Sequence, residues 1–134
     1  MKKIITIIAI SVAIFSCKKE ITTPNSGTYR GVFEMAGLNG SGYETGLCTI
    51  AMSEESRSFV LSVDTAATAP YFCAGNYKIT SGTTMTFSSE HLAPINGDQN
   101  IILDSIYNYT FDNLSFTLTK VVNTIQYDYR FVRY

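Results

Sequence analysis

Tryptophan is absent, histidine occurs once, and only three cysteines and three prolines stand among 134 residues. Each scarcity removes a class of chemistry. A lone imidazole cannot build the multi-histidine ligand sets of most zinc sites, and no CxxC spacing suggests a thiol metal or redox centre. The single histidine, His91 in SSEHLAPINGDQN, has no recognisable triad partner. Glu90, Asp98 and Asp104 surround it without the DxDxDG order of a calcium loop. Glycines 37, 40, 42 and 46 lack the lysine and the following helix of a phosphate loop. No catalytic residue, metal ligand or cofactor is therefore expected, and the chain does not read as an enzyme. Charge is also sparse, at 16% of residues, and no like-signed run exceeds the pairs Lys18-Lys19 and Glu54-Glu55. Such scattering does not suit a phosphate backbone, so nucleic acid is not an expected partner.

The one long apolar run lies at the N-terminus. Lys2 and Lys3 precede IITIIAISVAIF, residues 4–15, which carries no charge. As a helix, about 12 residues would span roughly 18 Å, short of a hydrocarbon core of about 30 Å. A charged start followed by a short apolar stretch is the pattern of an export signal.

Ile14-Phe15-Ser16-Cys17 resembles the lipobox of bacterial lipoproteins. The resemblance implies cleavage after Ser16, a signal peptide over residues 1–16, and a diacylglycerol on Cys17. Acyl chains such as palmitate, at about 0.8 kcal/mol per buried methylene, would hold the protein as a tethered, not spanning, lipoprotein. Lys18 stands where an aspartate retains such proteins in the inner membrane, so the resemblance implies the outer membrane, on its periplasmic face or at the cell surface. Lys18-Lys19-Glu20 partly resembles the surface-export tags of Bacteroidota. Residues 17–27, polar and turn-rich, are expected to form the anchor and a flexible tether.

Removing residues 1–16 leaves 118, one domain by size, with eight Lys and Arg against eleven Asp and Glu. With Cys17 lipidated, Cys48 and Cys73 remain in a disulfide-permissive compartment. A bridge between them would close a loop of about 26 residues and stabilise by roughly 3 kcal/mol. Two separate buried thiols are the alternative.

From residue 28 to 134 apolar residues recur every second position. Tyr29, Phe33 and Met35 share a face, as do Cys48, Ile50 and Met52, then Phe59, Leu61 and Val63. Tyr77 and Ile79 follow, then Met85 and Phe87. The clearest alternation comes last: Tyr107, Tyr109, Phe111; Leu114, Phe116, Leu118; and Ile125, Tyr127, Tyr129, Phe131. Short gaps such as Ser81-Gly82 and Asp112-Asn113 join antiparallel neighbours. About eight strands with one apolar face predict an all-β, antiparallel up-and-down barrel over 28–134, with a β-sandwich as the alternative. The bulk of the inward aromatics predicts a nearly filled interior, leaving at most a small pocket at one mouth.

The Gly27-Thr28-Tyr29-Arg30-Gly31 opening, the eight-strand meander and the aromatic final strand resemble the lipocalin-like (calycin) barrels of bacterial lipoproteins. That resemblance implies a binding module for a small apolar or amphipathic ligand; an envelope protein-interaction or assembly accessory is the other reading. Recognition is expected on the two longest loops, 37–46 and 90–100, through Tyr43, His91 and Leu92. Four strands separate the two loops, so a meander places both at one end. The outward strand positions, mostly Thr, Ser, Asn, Lys and Asp, are expected to carry no apolar patch.

Overall fold

The computed structural model describes residues 23–134 except 41, 66–70 and 91–98. The expected signal 1–16, the lipid acceptor Cys17, and both His91 and Leu92 lie outside the described residues. Eight strands follow in order: β1 (Gly27–Gly37), β2 (Tyr43–Ser53), β3 (Ser58–Thr65), β4 (Tyr71–Ser81), β5 (Thr84–Ser89), β6 (Ile106–Asp112), β7 (Ser115–Val122) and β8 (Ile125–Arg133). Each pairs antiparallel with the next, and β8 returns to β1, so the sheet closes on itself. The sandwich is thereby excluded. Inward apolar and outward mixed polar positions are the reverse of a membrane-spanning barrel's alternation.

Alternation fills the interior. Tyr29, Phe33, Ile50, Leu61, Phe87 and Phe116 are among the fully buried side chains. Rings form a continuous ladder: Tyr29 meets Phe116 edge-on at 5.0 Å, Phe116 stacks on Phe131 at 4.7 Å, and Phe87 bridges Phe59 at 5.1 Å to Tyr107 at 5.6 Å. Eight strands enclose just enough space for such side chains to fill. Two inward glycines allow close strand approach. A Cβ on Gly31 would fall 1.7 Å from the Arg130 carbonyl oxygen, and one on Gly75 would fall 1.9 Å from that of Ser88.

Cys48 and Cys73 are both buried and both free, which corrects the expected disulfide. The register gives the reason. Cys48 pairs with Val63 and Cys73 with Leu61, so all of β3 lies between the two thiols. Strands lie about 4.8 Å apart, which puts the two backbones roughly 10 Å apart. A disulfide needs Cα atoms within about 7 Å.

We call the end where β1 starts the lower end. The turns 54–57, 82–83 and 113–114 lie there, with both ends of the described chain. The expected tether is partly docked on this end. Pro24 is buried, the Asn25 carbonyl accepts a 2.8 Å hydrogen bond from Tyr29 Oη, and Ser26 Oγ accepts one of 2.7 Å from the Glu54 amide. The upper end carries the β1–β2 loop, the β7–β8 turn and the long β5–β6 connection. The β5–β6 ladder is short, matching only Thr84, Met85 and Thr86 to Asn108, Tyr107 and Ile106.

Candidate functional site at the upper mouth

Both loops expected to carry recognition leave the upper end, as the count of intervening strands requires. Of the three named side chains, Tyr43 opens β2 opposite Ala36. His91 and Leu92 fall outside the described residues.

The later half of the β5–β6 connection behaves as core. A 3₁₀ turn, Gln99–Ile101, leads into Ile101, Ile102 and Leu103, which are 0%, 2% and 0% exposed. Backbone polar groups taken inside a barrel need partners, and tyrosines supply them. Tyr129 Oη donates to the Ile101 carbonyl, and Tyr107 Oη donates to that of Ile102 at 3.1 Å. Ser89 Oγ donates to the Leu103 carbonyl at 2.8 Å, and Asp104 Oδ1 accepts from the Ser89 amide at 3.2 Å. The segment stoppers the barrel from above.

One transverse row of positions lies at this level. Glu44 on β2 pairs with Met35 on β1, Met35 pairs with Tyr127 on β8, and Tyr127 pairs with Lys120 on β7. Glu44 continues the inward alternation of Cys48 and Ile50, and Lys120 that of Phe116 and Leu118. Lys120 is only 8% exposed, with Nζ 4.9 Å from the Tyr107 ring centre and 5.5 Å from that of Tyr127. Electron-rich ring faces compensate part of an ammonium's lost hydration. One Glu44 oxygen, Oε1, is buried with no hydrogen-bond partner among the described residues. A buried polar atom without a partner normally signals a missing ion, water or ligand group.

Burial also sets the acidities here. It pushes the Tyr107 hydroxyl well above the ordinary phenol value, with smaller contributions from Cys73 and Asp104. Cys48 is pushed up to about 12 by burial alone. Cys73 is raised by burial against the opposing hydrogen bonds of the Leu103 backbone and the Ser89 side chain. These thiols stay protonated, so neither is a nucleophile at neutral pH.

Reading for loops missed Lys120, Glu44 and the 101–103 stopper. For the first two the signal was present, because extending the alternation of LCTIAM and SFTLTK points both charges inward. The outer wall needs a correction as well. Val32 on β1 pairs with Leu47 on β2, and Val60 pairs with Ala51 on β2 and Ala74 on β4, with Phe72 two residues away. Leu47 is 70% exposed and Phe72 58%, so the wall over β1 to β4 does carry apolar area. In the sequence these outward residues, Val32, Leu47, Val60 and Phe72, are interspersed with polar or small ones and form a patch only once the strands pair.

No family model, no curated protein and no solved structure matches this chain. The lipocalin-like resemblance therefore rests on the eight-stranded antiparallel barrel, and the lipobox on Cys17 and its neighbours.

Proposed function

We propose that this chain is a lipid-tethered envelope protein that takes a small amphipathic ligand at the upper mouth of its barrel. The Glu44, Met35, Tyr127 and Lys120 row is the observation that carries the reading. It sets an inward acid and an inward base on either side of a thioether and a phenol ring. Small-molecule sites combine apolar walls with a few convergent polar groups in this way. Because aromatics and the 101–103 stopper fill the space below, the ligand sits at the rim, its apolar part on the half-buried Met35. The tether supports this orientation. Residues 24–27 dock on the lower end, so an anchor at Cys17 would turn the upper mouth away from the membrane. On the lipobox resemblance that membrane is the outer one, on either face.

Native mass spectrometry of the protein from its own host tests the proposal. The folded wild type should carry a small-molecule adduct, and Lys120→Met should lose it while keeping its melting temperature within a few degrees. A wild type that emerges bare sinks the reading. A co-purifying protein in its place would favour the second reading, an envelope protein-interaction or assembly accessory, which the exposed Val60, Phe72 and Leu47 support.

A further inference from the structure

We infer that the lower end of the barrel is a docking face for anionic lipid headgroups, centred on a notch between Arg57 and Lys78. The inference builds on the tether reading but stands on separate residues. The notch, about 260 Å³, is lined by Arg57, Tyr77, Lys78 and Ile79. Arg57 sits in the turn between β2 and β3 at φ 53°, a left-handed conformation in which an arginine is unusual. Its carbonyl accepts from the Tyr77 amide at 2.8 Å, which fixes the turn against β4. Its guanidinium lies 5.9 Å from the Tyr77 ring centre. Tyr77 Oη in turn donates to the Ser53 carbonyl at 3.3 Å, so the ring is held as a floor. Two cations over an aromatic and aliphatic floor match a phosphodiester attached to an acyl chain.

Three further observations select a lipid surface as the occupant. The first is reach. Residues 18–23 separate Cys17 from buried Pro24, and six extended residues span at most about 20 Å. An anchored chain holds its lower end within that distance of the bilayer. The second is charge. Arg30, Arg57, Lys78 and Arg133 lie in the lower half, against Glu54, Glu55 and Asp112. The upper half carries Glu34, Glu44, Asp64, Glu90, Asp104 and Asp128 against Lys120, with Arg130 near mid-height and paired with Glu34. A negative surface would repel the upper end and draw the lower one. The third is apolar exposure. Leu114 (66%), Val132 (58%) and Tyr134 (82%) project at the lower end, with the Arg30 guanidinium 3.8 Å over the Tyr134 ring. Aromatic and aliphatic side chains beside arginine are what the headgroup region accommodates.

The test uses the mature chain, residues 17–134, with Cys17→Ala so that no acyl chain contributes. Co-sedimentation is measured with vesicles of phosphatidylcholine alone and with added phosphatidylglycerol. Binding should require phosphatidylglycerol and weaken as salt rises. Arg57→Asn with Lys78→Gln should reduce it by about fivefold per charge; asparagine tolerates the left-handed turn, so the fold is kept. Glu54→Gln with Glu55→Gln should strengthen it, a change of sign that a merely structural role would not give. Equal binding to both vesicle types, or binding unmoved by the Arg57 and Lys78 changes, overturns the docking face. Palmitate-analogue labelling of Cys17 in cells reads the tether separately. A labelled chain whose Cys17→Ala form ignores vesicles would overturn the docking face and leave the tether standing.

Discussion

At the lower end, short turns close the barrel and the hydrogen bonds that fasten the chain there are largely exposed: Ser26 to Glu54, Arg133 to the Ser26 carbonyl, Ser56 to Ser58. At the upper end the fastening is buried, with tyrosine hydroxyls and a serine holding three consecutive carbonyls of one inserted segment. An exposed bond exchanges readily with water and contributes little, whereas a buried carbonyl that loses its donor costs roughly 1–3 kcal/mol. The short-looped lower end therefore tolerates change, while the stoppered upper end is the more sensitive. Length of connection is thus a poor guide to looseness, because the longest connection in this barrel delivers Ile101 and Leu103 to the core at 0% exposure.

The largest expected effect breaks both ends together. Gly31→Val places a side chain where even a Cβ would meet the Arg130 carbonyl oxygen at 1.7 Å, on the β1–β8 seam that closes the barrel. Backbone cannot yield there without parting the strands, and a loss above about 4 kcal/mol is expected. Circular dichroism and thermal melting should show no cooperative native state. A melting temperature within a few degrees of wild type would mean that the seam bends more freely than described.

Alkali should come next. Burial raises the hydroxyls of Tyr29 and Tyr77 in the lower half and of Tyr107 under the stopper. A raised folded-state value means that the neutral form is favoured in the fold. The stability so contributed is complete below the unfolded value and is lost as pH climbs through the folded one. With ordinary values of 9.0 for the thiols and 10.0 for the tyrosines, stability should be flat up to about pH 9 and fall above pH 10. In a Tyr134→Phe chain, which removes the exposed phenol, most of the tyrosinate absorbance should appear together with loss of the barrel signal. Ionisation well before unfolding would contradict the buried settings of these rings.

Ile101→Ala separates the ends. Truncating a fully buried isoleucine should cost about 2–4 kcal/mol. Amide exchange should quicken around 99–105 and the upper parts of β5 and β6, while the Tyr77 amide, bonded to the Arg57 carbonyl in the lower half, keeps its protection. Uniform loss across the barrel would show that the stopper is part of one cooperative unit with the turns below.

Much of this architecture was readable, for a physical reason. In β7 and β8 every second residue must be apolar to fill a closed interior, so Phe116, Leu118, Tyr127, Tyr129 and Phe131 announced their own facing. Reading failed where burial and alternation part company. Leu114 continued the pattern of Phe116 but sits in a turn started by Asn113 at φ 33°, and is exposed. Ile101, Ile102 and Leu103 are buried in succession, which no period-2 rule can place. Tyr71 and Cys73 carry β4 further up than the alternation of Tyr77 and Ile79 marked it. At the mouth, Lys120 and Glu44 obeyed alternation but contradicted the expectation that charges face water, and the two rules conflict wherever a protein keeps polar groups inside.

The smallest expected effect is that of reductant, and it also ranks the two thiols. A bridge between Cys48 and Cys73 would change the intact mass by two hydrogens on reduction and lower stability by roughly 3 kcal/mol. With β3 between them and both thiols free, neither mass nor melting temperature should respond. Labelling by a thiol reagent in the native state then reports which end opens. Cys73 lies beneath the stopper, close enough to hydrogen-bond with the Leu103 backbone and Ser89. Cys48 sits midway along β2, held between Gly31 and Val63 by its two neighbouring strands. Opening of the segment 99–105 bares the first and not the second, so Cys73 should label sooner, and Ile101→Ala should widen the gap. Equal rates for both thiols, unchanged in that variant, would mean that exposure comes only through global unfolding. In that case the upper mouth would be no more prone to local opening than the wall, and ligand entry would have to occur without movement of the stopper.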